Sequence, residues 1–399
     1  MYKSFTALMA MASMATAAPF ARQEEARKLV IGSPGQIVTA DFTGDSFKLT
    51  SKFTKEGMAP SWMLYRDPNV LYAVNENAAD VNLFNLDNAS SNPTLAGTVQ
   101  GTAGVVSLAF NEDKTKILGP SYGKGSYDVW DVQADNKLNL FKNVVVKGEL
   151  GPGQESHRPH QALLDPSGRY FVVPNLGGDS ILVVDTQNDS YEVTNTVGTP
   201  SGSGPRHGDF VSLNGGSQAS HYVVCTELSN ELILFSLEYA EDSLKFTELQ
   251  RLSTYGPDSP PATPDKAAAG ELVIANNGRD VYVSNRLSGH ETDNIAHFVL
   301  EQGTGDKPEL RFADSVSSGG ILPRMFSLSS DADQSLVFVA NQGGELGIAA
   351  LKRDPKTGKL DASPAASLPL DDLVADEFKG QENVGPQFIQ QIQGVSRDC

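Results

Sequence analysis

The feature that most narrows the fold is a phrase written several times along the chain. It consists of a short apolar strand, a tight turn, and two further strands. Its clearest copy covers residues 158–184, where QALL leads through Asp165-Pro166-Ser167-Gly168 to YFVVP and then to SILVV. Pro and Gly stand where a tight turn takes them. The strands are rich in β-branched and aromatic residues, and the three- and four-residue spacing of a helix is missing. Other copies start near residues 59, 204, 270 and 322 and run into LYAVNE, YVVCTE, VYVSNR and VFVANQ. A weaker copy starts near 104 and a partial one near 385.

Seven starts at intervals of roughly 45–65 residues, each with about four short strands, predict an all-β, seven-bladed β-propeller. The copy at 385 has only its first strand. The missing three are KLVIGS, QIVTADFT and FKLTSKFT, between residues 28 and 54. We therefore expect a ring closed by N- and C-terminal strands within one blade, which limits exposed sheet edges. The 399 residues allow two or three domains by length, but the repeat, with 37 Gly and 22 Pro, argues for one domain over 19–399.

Residues 1–18 read as a secretory signal: Lys3, a short apolar stretch from Phe5 to Met14, and the small residues Ala15-Thr16-Ala17-Ala18. The stretch is too short to span a membrane. A secreted chain is expected, with glycan acceptors at Asn88 and Asn188, each in a turn-like N-x-S sequon. The formal net charge of −18 argues against nucleic acid and against an anionic membrane surface. Two cysteines are too few for a disulfide scaffold, and no CxxC or Cys/His cluster signals zinc. Cys225 reads as a buried thiol, and a bridge to Cys399 stays open. We expect a monomer that takes a small anionic substrate without metal or cofactor. Two long excursions, 254–269 and 361–383, are expected as surface loops on one face, where function often sits.

In a propeller the first strand of each blade lines the central channel, so one register of that strand forms a ring. The residue after each Pro, or its equivalent, gives Ser61, Val105, His160, Arg206, Glu271, Arg324 and Gln387. A second ring is expected where the middle strand meets the next turn: Glu76, Tyr122, Asn175, Glu227, Arg286 and Gln342. Any propeller channel is wet, and single polar residues there can be filler that satisfies its neighbours. The combination is sharper. Several guanidinium groups converging on one channel form a receptor for carboxylate or phosphate. His160, with His157 and His207 nearby, and the carboxylates supply acid–base groups. The rest of the substrate-binding candidates are Glu76, Tyr122, Asn175, Glu271, Arg324 and Gln342. No GxSxG elbow is present, and the Gly-Gly pairs at 177, 215, 319 and 343 lack the strand-to-helix setting of a phosphate loop.

The phrases PHQALLDPSGRYFVVPNLGGD, GSGPRHGDF, VYVSNR and PRMFSLSSDADQSLVFVANQGG resemble the seven-bladed propeller lactonase family over most of residues 28–399. That family includes propeller-type 6-phosphogluconolactonases and the fungal 3-carboxy-cis,cis-muconate lactonizing enzyme, a cyclase. The resemblance implies catalytic roles for His160 of RPHQ, Arg206 of GPRH, Glu227 of CTELSNEL and Arg286 of SNR, with Arg clamps on carboxylates and His160 or Glu227 shuttling the proton. The sequence departs from the family at Asn175, where Asp commonly follows the Pro, and at 212–220, where LNGGSQASH replaces a short turn. Two function classes follow. One is a lactonase or lactonizing enzyme acting on a small polycarboxylate or sugar acid. The other is a non-catalytic propeller that binds an anion or a protein partner. A calcium-dependent lactonase of the other propeller type would need a carboxylate-lined axial metal site, which the two arginines disfavour.

Overall fold

A computed structural model describes residues 26–87, 91–212, 216–257, 259–303 and 307–392. The expected leader, the sequon at Asn88 and Cys399 lie outside the described residues. The described chain forms seven four-stranded antiparallel sheets. Blades 1 to 6 cover residues 63–100, 109–145, 163–198, 205–253, 268–317 and 321–369. Blade 7 joins the C-terminal strand Phe388–Gln391 to the N-terminal strands Arg27–Ser33, Gln36–Thr43 and Ser46–Thr54. The ring is thus closed as the repeat count predicts, with Gly32 opposite Phe388 and Leu29 opposite Gln391.

The middle strands are unbroken apolar runs because both of their faces are buried. In Tyr170–Asn175, Phe171 and Val173 pack on Tyr127 and Val129 of blade 2. Tyr170 and Val172 pack on Tyr222 and Val224 of blade 4. Alternate side chains of one strand therefore serve two different blade interfaces. The outermost strands have water on one side, and in Glu192–Gly198 exposed and half-buried residues alternate. Closure is an apolar event too. Phe388 and Ile389 share a cluster with Ile31 and Val38 of blade 7, Met63 and Leu71 of blade 1, and Phe338 and Ile348 of blade 6.

The inner strands carry the device that shapes the channel. Their pairing with the middle strand slips by a residue between Pro205 and His207, between Ala269 and Leu272, and between Pro323 and Met325. A bulge of this kind sets an extra residue outside the ladder and re-aims its side chain. Arg206 and Arg324 are such residues, and Gly270-Glu271 occupies the third. Both excursions lie at the channel end where these bulges are found. Thr263 N–H donates to Ser288 O, and Gln342 Nε2 donates to Asn383 O.

Candidate functional site

In three blades the end of the middle strand is tied to the start of the inner strand by the same hydrogen bond. Glu76 N–H donates to Ala59 O, Leu176 N–H to Arg158 O, and Glu227 N–H to Gly204 O. Glu76 and Glu227 thus share a register. In blade 3 that register belongs to Leu176, not Asn175. Asn175 instead matches Asn75: its Oδ1 accepts Arg158 N–H at 2.9 Å, as Asn75 Oδ1 accepts Ala59 N–H at 3.0 Å. Asn175 is 0 % exposed, and its Nδ2 reaches Ser180 Oγ at 3.1 Å and His157 Nδ1 at 3.0 Å. The structure places Asn175, expected as a substrate contact, with its polar atoms occupied in holding the blade end together.

Arg206, Glu227 and Arg286 meet, as expected from the rings. Glu227 Oε2 lies 2.8 Å from Arg206 Nε and 2.9 Å from Arg286 Nη2. The first contact is ionic rather than a directed hydrogen bond, and the second is both. Each arginine is also pinned by backbone, Arg206 Nη1 to Gly270 O at 2.8 Å and Arg286 Nη2 to Ala269 O at 2.9 Å. Burial drives the Glu227 carboxyl up, but Arg286 and Arg206 outweigh it and hold it below the ordinary value. Burial, aided by the Arg286 charge, pushes the Arg206 guanidinium down to about 10, so it stays cationic at neutral pH. Across the ring Arg324 Nη2 donates to Glu76 Oε2 at 2.8 Å. Three guanidinium groups thus face Glu227 and Glu76 at the mouth, with the Glu271 carboxylate close to Arg206.

His160 lies beside this cluster, 5 % exposed. Its Nδ1 is 3.0 Å from His207 Nε2, and His207 Nδ1 is 2.7 Å from Glu271 Oε1. His207 and Glu271 are only 2 % and 3 % exposed. The pairing registers put them one residue deeper than Arg206, since His207 opposes Cys225 and Leu272 opposes Val283. They underlie His160 rather than share its layer. Burial holds the His160 imidazole well below its ordinary value, and Arg206, His207, Arg324 and Arg286 add to this. Burial likewise lowers His207.

Tyr122 meets His160 edge to face, with ring centroids 5.6 Å apart. Arg158 lies over the Tyr122 ring, its Cζ 4.7 Å from the centroid, and its buried Nε finds no partner among the described residues. Arg158 stands two residues before His160 and outside both expected rings. His157 belongs elsewhere. It lines an outer cleft of about 370 Å³ with Lys147, Asp179 and Thr196, away from His160. Gln342 stands at the mouth end, tied to the 361–383 excursion through Asn383. Asn188 is exposed in the hairpin turn Gln187–Asp189. Among the described residues Cys225 is a buried free thiol, and its Sγ contacts Gly270 O at 3.3 Å. Below His207 the channel continues as a cavity of about 300 Å³ lined by Trp62, Gln161, Glu271, Met325 and Phe388.

Residues 26–369 match the family described as Lactonase, 7-bladed beta-propeller. A protein of Arthroderma benhamiae named "Probable 6-phosphogluconolactonase" is 28 % identical over 376 residues, covering 91 % of this chain and 90 % of the relative. The solved periplasmic gluconolactonase of Pseudomonas aeruginosa superposes with a TM-score of 0.73 at 22 % identity, over 92 % of this chain and 99 % of that one. A solved protein of Lactobacillus plantarum gives a TM-score of 0.73 at 20 % identity, over 86 % and 97 %. These two structures speak for the fold. With a family match across most of its length, this chain belongs to the seven-bladed β-propeller lactonase family.

Proposed function

We propose that the chain hydrolyses the lactone of a small anionic sugar acid or polycarboxylate at the mouth of the channel. The observation that carries this reading is the placing of His160, a buried neutral imidazole, beside Arg206, Arg286 and Arg324. The ester link of a lactone is broken by attack of water on its carbonyl carbon. His160 Nε2 takes the proton from that water as the new C–O bond forms. Negative charge grows on the carbonyl oxygen, and a guanidinium offers fixed charge and donors for it. The ring C–O bond then breaks, His160 returns the proton to the leaving alkoxide, and the new carboxylic acid ionises to release one proton. The three guanidinium groups of the mouth offer donors that suit an anionic substituent on the substrate. Glu227 is a poor base in this setting, because two arginines stabilise its ionised form. It orients Arg206 and Arg286 instead.

A panel of sugar lactones, muconolactone-type acids and plain γ-lactones, followed by proton release, tests this. Removing one such arginine contact costs about 2–4 kcal/mol in the transition state. We expect kcat/KM of Arg206→Ala to fall by about 30- to 1,000-fold, and His160→Gln to be at least as damaged. Turnover unchanged in both variants would sink the assignment. A folded wild-type protein that binds sugar acids yet hydrolyses nothing would favour the anion-binding reading.

A further inference from the structure

The contacts behind His160 have a definite direction. Glu271 Oε1 accepts the backbone N–H of Leu272 at 3.1 Å, so that oxygen is an acceptor. His207 Nδ1, 2.7 Å from the same oxygen, must then carry a hydrogen and donate it. With one hydrogen on a neutral ring, His207 Nε2 is bare. It accepts from His160 at 3.0 Å, which places the hydrogen of His160 on Nδ1 and leaves the lone pair on Nε2. No protein atom among the described residues hydrogen-bonds that Nε2.

We propose that His207 and Glu271 are positioning residues that lock His160 in the tautomer with hydrogen on Nδ1, so that Nε2 stands ready as the base. The role in turnover rests on the hydrolytic reading above; the tautomer does not. The surroundings are built to hold the relay in place. Glu271 N–H donates to Ser284 Oγ at 2.9 Å, and the Trp62 ring meets His207 edge to face at 5.6 Å. Gln161 Oε1 accepts Gly208 N–H at 2.8 Å, bracing the strand next to His207. Three titratable side chains in sequence, each at most 5 % exposed, form an expensive way to fill a channel. Apolar residues of like volume would fill it at lower cost, and a filler role would not need one consistent direction of donation.

The test is nitrogen NMR on the full chain with ¹⁵N-labelled histidine, above neutral pH. Six histidines are present, and His160→Gln and His207→Gln assign the two signals. A neutral imidazole free in water prefers hydrogen on Nε2. We expect both His160 and His207 to show the opposite, hydrogen on Nδ1. Glu271→Leu should release that preference in both rings and lower kcat by about 10²–10⁴-fold, with KM changed by less than about threefold. Glu271→Gln keeps an acceptor for His207, so its tautomers should persist and most of the lost kcat should return. Hydrogen on Nε2 of His160 in the wild type would overturn the proposal, and that spectrum needs no variant to fold. Unaltered tautomers and kcat in a folded Glu271→Leu would also overturn it. If the wild type hydrolyses no lactone but both rings show Nδ1–H, the hydrolytic reading falls and the relay stands. If lactones turn over while His160 carries its hydrogen on Nε2, the relay alone falls.

Discussion

At the scale of the residue, the site is a contest between burial and charge. His160 loses water, and that alone favours the neutral ring. The nearby cations Arg206, Arg324 and Arg286 push the same way, and His207 adds to them. The Tyr122 edge completes its surroundings, and the negative charges of Glu227 and Glu76 are already spent on arginines. A base works only when unprotonated. With its pKa held well below the ordinary 6.5, His160 stays competent through neutral pH and loses activity only in acid. Arg324→Gln removes one cation and frees the Glu76 carboxylate, and both changes favour the imidazolium. The acid limb of kcat/KM should therefore move to higher pH in that variant. A pH–rate profile checks this, and a limb that stays in place or moves lower would contradict it.

At the scale of the element, a strand end either ties a blade together, as at Asn175, or reaches the cluster, as at Arg286, and a strand bulge turns side chains to the axis. Asn175 closes a blade end by answering Arg158 N–H, Ser180 and His157. Asn175→Ala leaves buried groups unanswered, at about 1–3 kcal/mol. Urea unfolding should register that loss, while KM of the folded fraction stays within about twofold. A raised KM at unchanged stability would return Asn175 to the substrate. The bulges at Arg206, Gly270-Glu271 and Arg324 act the other way, giving up ladder pairing to bring side chains to the axis. Gly208, just past the first, has no room for a side chain, because an added Cβ would lie 2.3 Å from Tyr222 Oη.

At the scale of the whole molecule, seven sheets hold their site only if the ring is shut. The closing strand contributes four residues, yet Phe388 and Ile389 are 1 % and 0 % exposed and bridge blades 6, 7 and 1. Ile389→Ala removes a buried aliphatic side chain from that seam, a loss of about 2–5 kcal/mol. Chemical denaturation should show a lower midpoint, and an unchanged midpoint would mean that the seam is not a weak point of the fold. Closure also matters to chemistry. Glu76 of blade 1 pairs with Arg324 of blade 6 across 248 residues of sequence, with blade 7 between them.

The repeat in the sequence was enough to count the blades, foresee the closing blade and bring His160, Arg206, Glu227 and Arg286 to one channel. Strand period and turn chemistry are local, and each was written several times, so single ambiguities averaged out. The expected rings went wrong where one residue decided the outcome. Counting along a strand assumes two residues per repeat, and a bulge adds one without a clear sequence mark, so Glu271 was expected one layer too high. Asn175 was expected one place too far along, because PNLGG does not say which residue ends the ladder. The ion pairs of Glu227 join two blades, and the run from His160 through His207 to Glu271 joins three. Such contacts depend on distances set by packing between sheets, and only the tertiary structure could decide them.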